Sequence, residues 1–279
     1  MDDRPIGVFD SGFGGLTIVR ALIDLLPMEQ LVYVGDTARY PYGPRPPAQV
    51  AGFSQEIASF LVDEAGVKMV VVACNTAAAV SLEALRARFA VPVVGVIEPG
   101  LRAAAAASRA GRIGAIGTVG TIASGAYQRA AEAMRLPGAL TCAACPGFVE
   151  FVERGETDSD QVHVLAERLL APVRQAGVDT LLLGCTHYGY LARTLADVMG
   201  RDVVLVSSAE ETAFEVAGIL SATGLGRDPA GPAPRHRFLS SGDPGWFTEM
   251  GGRLLGPELS SAERFGAAPP PVAPGPPSI

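Results

Sequence analysis

The sequence predicts an α/β protein of two similar domains, each built on a mainly parallel sheet. Three observations predict it. Strand-like and helix-like segments alternate along the chain, the pattern of strand–crossover–strand units. Several strand candidates are unbroken Val, Ile and Leu runs, as strands covered on both faces require. The chain also repeats itself weakly. IGVFDSGFGG (6–15) and IGAIGTVGTIAS (113–124) both read strand, glycine turn, helix; MVVVACNTAAA (69–79) and TLLLGCTHYGY (180–190) both read strand, cysteine, threonine, helix. With 279 residues, the chain also exceeds the roughly 100–200 residues of one domain.

Taken in order, strands are expected at 6–9, 31–34, 69–73, 91–97, 112–117, 139–143, 180–183 and 203–206, with a weaker one at 237–239. Helices are expected between them. In 49–64 the apolar residues Val50, Phe53, Ile57 and Phe60 recur at spacings of three and four, the stripe of a half-buried helix. Segments 162–175 and 209–220 behave alike. The last stretch, 266–279, is proline-rich and uncharged; such composition cannot pack a core, and disorder is expected there.

Composition excludes several functions. The net charge is -7 and no basic cluster occurs, which argues against nucleic acid as a partner. No apolar run approaches the ~20 residues of a membrane span. The start, MDDRPIGVFD, is acidic and enters a strand at once, so no secretory signal and a cytoplasmic location are expected. Lys68 is the only lysine and lies at the entrance of a strand, whereas open α/β sheets build their sites at the carboxyl end. A pyridoxal cofactor, which needs a Schiff-base lysine, is therefore not expected. There is no P-loop, no HExxH and no histidine pair at i, i+4, so neither a nucleotide triphosphate site nor a metal is expected.

Three segments could carry chemistry. VFDSGFGGLT ends a strand at Asp10 and turns on glycines into a helix, a place where backbone N–H groups bind anions. A dinucleotide is the alternative there, with Asp36 as the ribose acid, but Thr17 holds the place of the third fingerprint glycine. Cys74 in ACNTA and Cys185 in GCTHY occupy repeat-equivalent places before helix starts, where a thiolate is stabilised and its pKa falls below ~8.5. Two such thiols facing one cleft suit removal of a proton from one face of a carbon and delivery to the other. CAAC (142–145) could be redox-active or half a metal site, but no second half exists. His187 is two residues from Cys185 and can influence its protonation. His163 reads as an ordinary helix residue and His236 as solvated.

FDSGFGG (9–15), VGDTARYPYG (34–43), ACNTA (73–77), IGT (116–118), CPGFVEFVERG (145–155) and GCTHY (184–188) occur in that order. By these motifs the chain resembles the aspartate/glutamate racemase family, from residue 5 to about 265. DSGxGG, PYG and GCTHY are similar to its glutamate-specific members. The resemblance implies two α/β domains related by pseudo-two-fold symmetry, with the active site in the cleft between them. The first would hold 1–97 and 208–265, the second 98–207. It implies cofactor-independent interconversion of L- and D-glutamate, supplying D-glutamate for peptidoglycan. Cys74 would take the proton from D-glutamate and Cys185 from L-glutamate. Asp10 would assist Cys74, while Glu153 and His187 would assist Cys185. Substrate contacts would come from Asp10, Ser11, Tyr42, Gly43, Asn75, Thr76, Thr118, Thr186 and His187. The resemblance allows a homodimer; restraint of DNA gyrase, ascribed to some members, has no counterpart in these residues. Two departures stand out: Gly189 replaces a proline after GCTHY, and Ser207 replaces an aspartate before Ser208-Ala209.

Overall fold

The structure, a computed structural model, describes residues 1–266. Ten strands occur among them: β1 (Ile6–Asp10), β2 (Leu31–Gly35), β3 (Met69–Val72), β4 (Val93–Gly95), β5 (Arg112–Gly117), β6 (Ala139–Ala144), β7 (Thr180–Gly184), β8 (Val204–Val206), β9 (Arg237–Ser240) and β10 (Glu263–Arg264). They form a six-stranded sheet in the order β10-β9-β2-β1-β3-β4 and a four-stranded sheet in the order β6-β5-β7-β8. Every pairing is parallel. All residues of β1, β2 and β3 are buried, which accounts for their uninterrupted apolar runs.

The weak sequence repeat has a topological counterpart. The inner strands β2-β1-β3-β4 of the first sheet follow the same order as β6-β5-β7-β8 of the second. In each set the chain moves from its first strand to one side, then returns to the other side for its third. That reversal opens a crevice at the carboxyl ends of the first and third strands. Asp10 ends β1 and Cys74 follows β3; Thr118 follows β5 and Cys185 follows β7.

Two apolar cores hold the sheets. The larger surrounds the first sheet and continues onto Ile113, Ala115, Tyr127 and Leu182 of the second unit. The smaller gathers Ile116, Phe148, Val173, Leu181 and Leu191 on the other face of the second sheet. Helix Ile97–Ala107 connects β4 to β5 and packs on helices Ala126–Ala133 and Ala209–Thr223 and on β7. Its Leu101 is wholly buried; truncation of such a leucine to alanine costs about 2–5 kcal/mol. Lys68 is buried at the amino end of β3, 2.6 Å from Glu29, and donates to the Asp2 carbonyl at 2.8 Å. The only lysine is thus an anchor at the end of the sheet remote from the crevice.

The elements differ from expectation in four places. The apolar run 91–97 contains only the short strand β4, because Glu98 and Pro99 suit a helix first turn and start helix Ile97–Ala107. Segment 162–175 is two helices, Asp160–Leu169 and Ala171–Gln175; Pro172 has no N–H for the Arg168 carbonyl. Segment 49–64 is an α-helix, Pro47–Ser59, followed by a π-helical turn, Phe60–Glu64. Strand β10 was not expected, since two charged residues carry no strand pattern; it forms by pairing Glu263 with Leu239. The expected disorder of 266–279 falls, from 267 on, outside the described residues. No described helix is long and apolar enough to cross a membrane.

Candidate active site

One small cavity lies where the two crevices meet. Ser11, Tyr40–Gly43, Cys74–Thr76, Thr118, Val149 and Cys185–His187 line it, and its volume is about 20 Å³. That is room for about one water molecule. The loops of the two sheets must separate to admit an amino acid.

On the first-sheet side, Cys74 is the N-cap of helix Asn75–Arg88, and its Sγ lies 3.7 Å from Ser11 Oγ. Asp10 is fully buried; its Oδ2 accepts from the Gly12 N–H at 3.0 Å, and its Oδ1 has no partner. Asn75 Nδ2 donates to the Tyr127 hydroxyl at 3.0 Å across the cleft, leaving its Oδ1 unpartnered. The Tyr42 hydroxyl donates to Asp36, which also accepts from Ser241 Oγ at 2.6 Å and from Arg39 Nε at 2.7 Å. The loop carrying Tyr42 and Gly43 is thereby fixed to the end of β2.

On the second-sheet side, Cys185 precedes a 3-10 helix, Thr186–Leu191, with His187 Nδ1 4.0 Å from its Sγ. His187 Nε2 faces Glu153 Oε1 at 3.8 Å and the Tyr40 hydroxyl at 3.5 Å. Thr118 caps helix Val119–Ala123 by accepting from the Thr121 N–H, and its hydroxyl lies 3.0 Å from that of Thr76. Thr121 joins them at 3.1 and 2.9 Å. The Gly120 N–H donates to the Gly43 carbonyl at 3.1 Å. A Cβ on Gly14 would lie 2.0 Å from Thr186 Oγ1 and 2.9 Å from His187 Nδ1. Only glycine there lets the β1 turn meet the second unit so closely.

Burial governs the protonation states. It pushes the Cys74 thiol up to about 12, with the Asp10 charge adding to the effect, and drives Cys185 up as well, against the His187 backbone N–H. The expectation of lowered thiol pKa values is therefore corrected: in this enclosed cleft, loss of water outweighs the helix N-terminus. Burial raises Asp10 against the N–H groups of Gly12, Gly15 and Ser11. Burial raises Glu153 against the Tyr40 hydroxyl. His187 is lowered to about 4, again by burial. Its ring is neutral near pH 7, so the Glu153 contact is not an ion pair.

Nearly all the residues expected at the site come together. Asp10 stands behind Cys74 rather than on the cavity wall, and Glu153 borders a neighbouring hollow of about 430 Å³ that His187 also lines. The motifs did not single out Tyr40, Val149, Thr121 or Tyr127. Tyr40 lies inside the PYG-containing motif and was available to be read; Tyr127 sits in a helix with no local signal. Of the remaining residues, Cys142 is half-buried on edge strand β6 and Cys145 is buried, both as free thiols. His236 is half-buried rather than solvated, with its Nδ1 shut off from any partner and its pKa lowered by burial. The Ser207 hydroxyl accepts from the Ala209 N–H at 3.1 Å, so the serine there supports a helix start. Among the described residues no group of three or more His, Cys, Asp or Glu is placed to hold a metal ion.

The model of the Asp/Glu/Hydantoin racemase family matches residues 14–214. The chain belongs to this family. A glutamate racemase of Parafrankia sp. is 52% identical over 97% of this chain and 97% of its own length. Among solved structures, the glutamate racemase isoform RacE1 of Bacillus anthracis superposes with a TM-score of 0.89 at 40% identity, covering 96% of this chain and 99% of its own. The glutamate racemase of Francisella tularensis in complex with D-glutamate gives a TM-score of 0.86 at 32% identity, covering 95% and 98%. Membership of the racemase family makes the chain an isomerase, and both α/β sheets fall within the shared fold.

Proposed function

We propose that this racemase interconverts L- and D-glutamate by two-base proton transfer at Cα, with residues 1–97 and 208–265 as one domain and 98–207 as the other. The observation that carries the reading is the pair of thiols at equivalent crevices of two like-ordered sheets, both lining one cavity. The Francisella relative with D-glutamate supports the choice of substrate.

With L-glutamate bound, the Cys185 thiolate takes the α-proton. The C–H bond breaks, an S–H bond forms, and the electron pair stays with Cα and its carboxylate. The Cys74 thiol then delivers its proton to the opposite face, leaving D-glutamate and a Cys74 thiolate. The reverse path starts from that thiolate. A thiol of raised pKa makes a stronger base once ionised, which a carbon acid requires. The unpartnered Asn75 oxygen, on the cavity wall, suits the substrate ammonium. Ser11, Tyr42, Gly43, Thr76, Thr118, Thr186 and His187 supply N–H and O–H groups for the carboxylates. Preorganised donors of this kind stabilise charge developing on the carboxylate without a cofactor sink. Asp10 serves Cys74; His187 and Glu153 serve Cys185. The product would feed peptidoglycan synthesis in the cytoplasm.

Circular dichroism of L- or D-glutamate with purified protein and no additives tests the reading. The signal should decay to zero from either enantiomer, and should do so after dialysis against a chelator. A signal that persists from both enantiomers overturns it.

A further inference from the structure

Tyr40 is a first-domain side chain whose hydroxyl reaches His187 beside Glu153. It lies between two anchored residues of its loop, since Arg39 and Tyr42 both bind Asp36. Its ring packs over Gly12, where a Cβ would come within 3.1 Å, and lies 5.7 Å from the His187 ring at 31°. Its hydroxyl is 3.5 Å from His187 Nε2, the nitrogen that also faces Glu153 Oε1 at 3.8 Å. His187 and Glu153 belong to different elements of the second unit, the 3-10 helix Thr186–Leu191 and the helix Phe148–Glu153. The other imidazole nitrogen, Nδ1, faces Cys185 Sγ.

Building on the two-base reading, we propose that Tyr40 is a positioning residue for the Cys185 half of the site, selecting the His187 tautomer that serves this thiol. His187 Nε2 faces two oxygens, the Glu153 carboxylate at 3.8 Å and the Tyr40 hydroxyl at 3.5 Å. A carboxylate only accepts, so these partners hold the tautomer with Nε2–H, the Tyr40 hydroxyl accepting from it and turned towards Glu153. Nδ1 then carries the lone pair and points at Cys185. Nδ1 takes the Cys185 S–H as a hydrogen bond at 4.0 Å and turns the thiol to its working position, so the relay runs Glu153–Tyr40–His187–Cys185 with the ring neutral. Because Tyr40 belongs to the first domain and its partners to the second, the relay is complete only when the cleft is closed.

Tyr40→Phe removes the hydroxyl and keeps the ring on Gly12 and His187. Its rates should be compared with those of the wild type using α-protiated and α-deuterated L- and D-glutamate. Loss of one orienting hydrogen bond should lower kcat/KM about tenfold. The fall must be equal in both directions, because the equilibrium constant of racemisation is one. The isotope effects should divide. The effect on kcat/KM should rise with L-glutamate, whose proton goes to Cys185, and fall towards one with D-glutamate. A merely structural role would move both alike; equal changes, or none, overturn the proposal. An independent measurement needs no variant of Tyr40. The ¹⁵N shifts of the wild-type His187 ring, assigned with His187→Gln, should report Nε2–H, and Nδ1–H overturns the proposal. Failure of the wild type to racemise glutamate would instead strike the parent reading.

Discussion

The two cysteine regions look alike in sequence and are supported by different means. Cys74 follows a central strand and caps a 14-residue helix, Asn75–Arg88; its carboxylate neighbour, Asp10, comes from the adjacent strand of the same sheet and is wholly buried. Cys185 also follows a central strand but opens onto a 3-10 helix. Its neighbours are His187 on that turn and Glu153 on a separate helix, with a side chain 37% exposed. Cys74 and its carboxylate neighbour come from one sheet, with Asn75 and Thr76 bonding across to Tyr127 and Thr118, while the neighbours of Cys185 are completed by Tyr40 and by the close approach of Gly14 from the other unit. The thiol–carboxylate pair of one half is therefore built into its sheet, and the corresponding group of the other half draws on residues from both units.

The largest effects should come from the thiols. Cys74→Ser and Cys185→Ser should each lower racemisation by orders of magnitude, since an alcohol is far less acidic than a thiol of pKa ~8.5. Each variant keeps one base, so elimination of HX from a β-substituted glutamate should survive in one enantiomeric series. Cys74→Ser should prefer the L-type analogue and Cys185→Ser the D-type. A shared preference would remove the division between the two regions.

Gly14→Ala comes next. Its methyl collides with Thr186 and His187 rather than with its own sheet. A misplacement of ~1 Å in a catalytic constellation costs about a hundredfold. kcat/KM should fall by that order while the melting temperature changes little; unaltered kinetics would show that closure does not bring these groups together.

The His187 ring sharpens the comparison through pH. Below its usual 6.5 the unfolded chain takes up a proton that the folded protein refuses until about 4. The wild type should therefore lose stability as pH falls through that window, by a few kcal/mol at most. Denaturant titrations across pH 7 to 4 should show a flatter acid limb for His187→Gln; identical limbs would mean the ring is more hydrated than its burial implies.

The smallest effects belong to the other two thiols. Cys142→Ala and Cys145→Ala should leave racemisation within about twofold and cost roughly 0.5–2 kcal/mol of stability, with more from buried Cys145 than from half-buried Cys142. Loss of activity by orders of magnitude in a folded double variant would place CAAC in the chemistry.

Much of the fold was legible because parallel strands declare themselves as apolar runs and the repeat pointed to two like-ordered sheets. Cys74, Cys185 and their flanking hydroxyl residues were legible because each sits directly after such a strand. Short-range features, such as the division at Pro172, needed backbone detail. Tyr127 and Thr121 escaped because their contacts, to Asn75 and Thr76, join residues far apart in the chain; the Asp36 anchor escaped because its bonds to Arg39 and Tyr42 depend on how an irregular loop bends back on itself.

Residue order alone determined the strand order's raw material, the exclusion of a Schiff-base lysine and the positions of both thiols, since each follows from local pattern and residue chemistry. The protonation states were decided only by the tertiary structure. A helix N-terminus is a local feature and favours a thiolate, but exclusion of water arises from two sheets closing on one another. That desolvation outweighs the local field, raising both thiols and holding His187 neutral.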